Sequence, residues 1–179
     1  MATSREALLK KIAQSKASAG GNIIKDGNYV FEVVNLLLES KFNGSMFIAE
    51  FQVREAVASG EKDSSGVPVE PNKIGSTCSY VVNLDKNISA AGNAKALILA
   101  LYGLDEAEVS EEDFLAALSA VTEKDEPARG MLIADSTFRK TIRGGPNAGK
   151  PFTAHRWQNV AQVADDIAAR RKAQESKAA

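Results

Sequence analysis

Between Met46 and Val57 the chain reads MFIAEFQVREAV, and apolar residues alternate with polar ones. Phe47, Ala49, Phe51 and Val53 fall on one side of an extended chain; Glu50, Gln52 and Arg54 fall on the other. A repeat of two residues is that of a strand with one buried face, not of a helix, whose repeat is 3.6. The preceding run, GNYVFEVVNLLL from Gly27 to Leu38, is rich in strand-forming residues, and Asn43-Gly44 between the two marks a tight turn. Together they predict a β-hairpin.

Three more strands are expected: Thr77–Leu84, Arg129–Arg143 (bent or bulged) and Phe152–Val160. Ser59–Gly75, with two glycines and two prolines inside it and no hydrophobic period, reads as an exposed, mobile excursion. Two helices separate the third and fourth strands. One follows Ser89 and stops at Gly103; the other opens with Ser110-Glu111-Glu112-Asp113, a capping box with Asp in the Glu position. Ser4–Lys16 predicts a short amphipathic arm with Leu8, Leu9 and Ile12 on one stripe, and a final helix begins at Ala161 and frays. The expected organisation is an N-terminal helical arm over 1–21, a barrel domain over 22–160, and a C-terminal helix and frayed tail over 161–179. Strand-strand-strand-helix-strand-strand is the element order of a mainly β, five-stranded OB-like Greek-key barrel with an inserted helical segment and terminal helices. A β-sandwich has not been separated from it by order alone.

At 179 residues the chain can bury one core, and 44% apolar with 25% charged residues is a globular balance. No run approaches the length of a membrane span and no leader-like apolar stretch opens the chain, so a cytoplasmic location and no membrane partner are expected. One cysteine, Cys78, excludes an intrachain disulfide; it sits in an apolar strand and reads as a small buried hydrophobe. A net charge of −1 argues against coating duplex DNA by bulk charge.

Two motifs invite a catalytic reading and do not sustain it. Gly144 and Gly149-Lys150 have P-loop spacing, but Pro151 stands where a magnesium-holding hydroxyl belongs, and a strand follows where a helix is needed. His155, the only histidine, has no Cys or His cluster around it in sequence, so neither a metal nor a cofactor is expected. No convergent acid, base or nucleophile pattern points to an enzyme.

Charge distribution is more informative. Nine acids against one lysine lie between Asp105 and Glu126, whereas Arg129, Arg139, Lys140, Arg143, Lys150 and Arg156 stand against one acid, Asp135. Phe138, Phe152 and Trp157 are interleaved with these cations. Single-stranded nucleic acid is bound by such a combination: cations neutralise phosphates, and aromatic faces stack on unpaired bases. The candidate contact residues are Arg54, Arg129, Phe138, Arg139, Lys140, Arg143, Lys150, Phe152, His155, Arg156 and Trp157, with Gln52 beside Arg54. Phe152 and Trp157 are five positions apart, so strict alternation puts them on opposite faces and makes one of them core.

GNYVFEVVNLLLESKFNGSMFIAEFQV, then NAKALILALYG, then ARGMLIADSTFRKTIRGGPNAGKPFTAHRWQNV resembles small bacteriophage replication-region proteins similar to single-stranded-DNA-binding OB proteins. The likeness covers roughly Gly27 to Val160. It implies a non-catalytic protein that protects or presents single strands in phage DNA replication, recombination or repair, in the host cytoplasm. Its implied partners are single-stranded DNA and phage replication or recombination proteins. The ending RRKAQESKAA departs from the acidic tail many such binders carry. Self-association is left open, and so is a different role, as a phage virion or assembly component of the head-decoration or tail type.

Overall fold

The computed structural model describes residues 23–41, 44–63, 65–85, 88–121, 128–145 and 148–178. The expected N-terminal arm and the turn residues Phe42 and Asn43 lie outside them. Five antiparallel strands form one sheet: β1 (Asn28–Lys41), β2 (Gly44–Val57), β3 (Thr77–Asn83), β4 (Leu132–Thr141) and β5 (Pro151–Asn159). Helices α1 (Ile88–Tyr102) and α2 (Glu111–Val121) lie between β3 and β4; a short 3₁₀ turn (Val160–Val163) leads from β5 into α3 (Ala164–Ala178). The C-terminal helix expected from Ala161 onward is thus formed as a 3₁₀ turn followed by a regular helix.

The sheet order is β3-β2-β1-β4-β5, so β1 is flanked by β2 and β4, and β3 and β5 form the two edges. The β1–β2 register skips Val34 on β1 and Arg54 on β2, one extra residue on each strand. Such bulges bend a strand and increase its twist. The expected alternation holds: Phe47, Ala49, Phe51 and Val53 are all buried. They meet Tyr29, Phe31 and Val33 of β1, Cys78 of β3, Ile133 of β4 and Trp157 of β5 in one core.

Helix α1 closes this core with Ala94, Leu97, Ile98 and Leu101, a spacing that puts all four on one helical face. It ends in a Schellman motif. Gly103 takes φ +67°, its N–H donates to Ala100 O, and Leu104 N–H donates to Leu99 O. Ser110 caps α2 as expected, its Oγ accepting from Asp113 N–H at 3.1 Å, but the Asp113 carboxylate accepts from the Ser110 hydroxyl at 2.6 Å rather than from its backbone N–H. A second, smaller core lies on the opposite face of the sheet, where Ile167 of α3 covers Val30 and Ala134. Arg171 of α3 pairs with Glu55 beside it.

The excursion from Ser59 to Gly75 is anchored rather than loose. Asn72 is buried; its Oδ1 accepts from Lys25 N–H at 2.8 Å and from Tyr29 Oη, and its N–H donates to Tyr29 Oη at 3.0 Å. A polar loop without a period gives no warning of such an anchor, because the partners are 43 and 47 residues away.

Candidate nucleic-acid interface

β4 pairs with β1 only from Leu132 to Ser136, against Glu32 to Asn28. From Phe138 to Thr141 it pairs with β5 alone. The β4–β5 hairpin thus leaves the sheet as a two-stranded ribbon, and Ile142 extends it by exchanging hydrogen bonds with Gly149 and Lys150. The segment with near-P-loop spacing forms the tip of this ribbon and leads into strand β5, not into a helix.

The root of the ribbon is fixed to the chain just before β1. Gly27 N–H donates to Thr137 Oγ1, and Thr137 N–H donates to Gly27 O at 2.9 Å. The buried Asp26 carboxylate accepts from Arg139 Nε at 2.6 Å and from Thr153 Oγ1 at 2.8 Å, one donor from each strand. Arg139 is therefore spoken for: it braces the ribbon, and its pairing raises the guanidinium above its ordinary range.

Alternation places Phe138 and Lys140 on the outward face of β4, with Arg156 and Phe152 on the same face of β5. Lys140 Nζ lies 5.0 Å and Arg156 Cζ 5.6 Å from the centroid of the Phe138 ring. Lys140 stands directly across from Phe152, whose ring is 42% exposed. Among the described residues, Lys140, Arg143 and Arg156 have no carboxylate partner. Arg143 and Lys150 are exposed at the tip of the ribbon.

The inward face holds the other aromatic group. Trp157 is buried and stacks on His155 with the ring planes 4° apart. Tyr80 of β3 meets both edge-on, at 4.9 Å and 5.4 Å, so the two edge strands touch through side chains although they share no ladder. His155 Nδ1 lies 2.7 Å from Asp135 Oδ2, and Arg156 N–H donates to Asp135 Oδ1. Burial raises the Asp135 carboxyl above the usual range, opposed by the hydrogen bond and charge of His155 and by the Arg156 N–H. Burial also pushes the Cys78 thiol up to about 12, which leaves it a buried hydrophobe.

The eleven residues singled out in the sequence thus separate. Phe138, Lys140, Phe152 and Arg156 form one outward cluster, with Arg143 and Lys150 farther along the same hairpin. Trp157 and His155 face the core. Arg139 braces the ribbon, Arg54 of β2 is paired with Glu32 of β1 at 2.7 Å, and Gln52 reaches Gly75 O instead. Arg129 precedes β4, at the end of that strand remote from the tip. Asp26 and Tyr80 were not foreseen. Asp135 carried a signal, being the lone acid among six cations.

Among the described residues no three of His, Cys, Asp and Glu are grouped so as to hold a metal ion, and no helix is long and apolar enough to cross a membrane. No protein-family profile matches the chain, and no curated protein is significantly similar to it.

Proposed function

We propose that the chain is a non-catalytic single-stranded-DNA-binding protein with an OB-like barrel, acting on transient single strands in phage DNA replication, recombination or repair. The sheet order supports the barrel. In an OB barrel β1 lies between β2 and β4, the helix follows β3, and closure is made where β3 meets β5. Here β1 has those neighbours, the helices occupy that place, and Tyr80 of β3 packs on His155 and Trp157 of β5.

One observation carries the binding reading: Phe138 stands on an outward face between Lys140 and Arg156, with the exposed Phe152 opposite Lys140. Stacking of bases on such rings is worth about 1–3 kcal/mol each and needs no sequence. The cations supply phosphate contacts, whose strength falls with salt. Phage replication or recombination enzymes are the protein partners that accompany this role.

The test is titration of a fluorescent oligo-dT at low and moderate salt, with a duplex of equal length as control. Binding to the single strand is expected, with the slope of log K against log salt reduced by about 0.7 for each of Lys140→Ala and Arg156→Ala. Absence of single-strand binding at low salt would overturn the reading and favour a virion or assembly role.

A further inference from the structure

Helix α3 covers the β1–β4 part of the sheet's outward face, with Ile167 on Val30 and Ala134. On the β1–β2–β3 part the register sets three rows side by side: Asn35, Glu50 and Ser79; Leu37, Ile48 and Val81; Glu39, Met46 and Asn83. Their neighbours along the strands, Leu36, Phe47, Ala49 and Val82 among them, are buried, so alternation turns these rows outward. The middle row is apolar throughout. Its three residues belong to neither core, and Val81 is 53% exposed. The row on each side of it carries one carboxylate, Glu50 or Glu39. These two rows are four β2 residues apart, which is about 13 Å along a strand.

The chain comes to this face from its N-terminal side. Ile24 is buried in the core, whereas Ile23 is exposed and pairs in parallel with Ser79 along the outer edge of β3. The amphipathic stretch Ser4–Lys16, outside the described residues, is joined to Ile23 by Ala17 to Asn22. That linker reaches up to about 20 Å, and its Gly20-Gly21 allows the chain to reverse over the sheet. The stretch carries the complementary pattern. Arg5, Leu8, Leu9, Ile12 and Lys16 fall on one face of a helix, the apolar three in the middle and a cation at each end. Arg5 and Lys16 stand about 16 Å apart along such a helix, which matches the separation of the carboxylate rows within the reach of the side chains. Lys16 is nearer the linker, so it falls toward Glu50 and Arg5 toward Glu39.

We infer that Ser4–Lys16 docks as a helix on the outward face of β1–β2–β3 of its own chain, with Leu8, Leu9 and Ile12 on Leu37, Ile48 and Val81. The cations at its ends fix its direction. The docked helix withholds an apolar row beside an edge strand from other chains. The inference does not depend on single-strand binding.

The experiment is cysteine cross-linking in the full chain. Leu9→Cys with Val81→Cys should form a disulfide within the monomer on mild oxidation, at every protein concentration. The native Cys78 is buried and does not compete. Leu9→Cys with Leu115→Cys is the control: Leu115 is exposed on α2, whose Phe114 and Leu118 pack against the main core on the opposite face, and no cross-link is expected. Glu50→Lys should slow the first cross-link several-fold, and adding Lys16→Glu should restore it. Equal cross-linking of both pairs, or none in either, would overturn the docking. Disulfide-linked dimers would overturn it in favour of an arm exchanged between copies. Tryptic cleavage after Lys10 and Lys11 reads the same contact with no cysteine present. It should be several-fold slower in the native chain than in Leu9→Asp, and equal rates would count against the docked helix.

Discussion

His155 and Asp135 meet at 2.7 Å across the β4–β5 pair, with the carboxylate fully buried and the imidazole stacked on Trp157. An ionised Asp135 makes Nδ1 the donor, which fixes the ring in one tautomer and points its Nε2 away from the carboxylate.

This pair gives stability a definite dependence on pH. Burial raises the Asp135 carboxyl above its usual range. The folded chain therefore holds that proton more tightly than the unfolded chain does. The associated stability is fully present below the unfolded value, about pH 4, and is lost as pH rises through the higher native value. Asp135→Asn keeps the shape and does not titrate. The stability of the variant relative to the native chain should improve as pH rises above 4, as read by urea unfolding at pH 4 and pH 7. A difference that stayed flat, or moved against the variant, would mean that pairing with His155 outweighs desolvation.

The two faces of β5 and β4 should answer differently to truncation. Trp157→Ala empties a core site and should cost about 3–5 kcal/mol. Trp157→Phe should cost much less, since it keeps a ring and removes a buried indole N–H that has no hydrogen-bond partner among the described residues. Phe138→Ala should cost about 1 kcal/mol or less and weaken single-strand binding several-fold. Denaturation midpoints and DNA titrations on the same preparations separate the two effects.

Neighbouring cations on β4 should also divide. Arg139→Ala leaves the buried Asp26 without its cation, so it should lower the melting temperature clearly and disturb the ribbon. Lys140→Ala, with its ammonium over an exposed face, should leave the melting temperature nearly unchanged and reduce binding. Equal thermal effects of the two substitutions would contradict the bracing role of Arg139.

Gly27 is required by a close approach. A Cβ there would lie 2.8 Å from Tyr29 Cζ and Oη. That ring cannot withdraw freely, because its hydroxyl bonds Lys25 O and Asn72. Gly27→Ala should cost about 1–3 kcal/mol by overpacking, measurable in chemical denaturation.

Much of this was legible in the chain. The period of two in β2 assigned its buried face, and the five-residue spacing of Phe152 and Trp157 put the two rings on opposite faces. The mixture of cations and aromatics in β4 and β5 pointed to the hairpin that carries the outward cluster. The rest depended on long-range pairing. Asp26 lies 113 residues from Arg139, so a candidate phosphate contact could not be told from a structural brace. Phe138 and Trp157 have similar surroundings in sequence; only the register of β4 against β5 sends one outward and the other into the core.

The ribbon beyond Thr137 has one further consequence, for the rates at which its amides exchange with solvent. Its backbone is fastened on one side only, whereas Ile133 to Ser136 lie between β1 and β5. Amide protons of Phe138 to Thr141 should therefore exchange through a local opening of low free energy, and those of Ile133 and Asp135 only when the sheet itself opens. A bound strand would slow the first group and leave the second unchanged. The outer hairpin is thus expected to open ahead of the sheet, held back chiefly by the Asp26 bonds to Arg139 and Thr153.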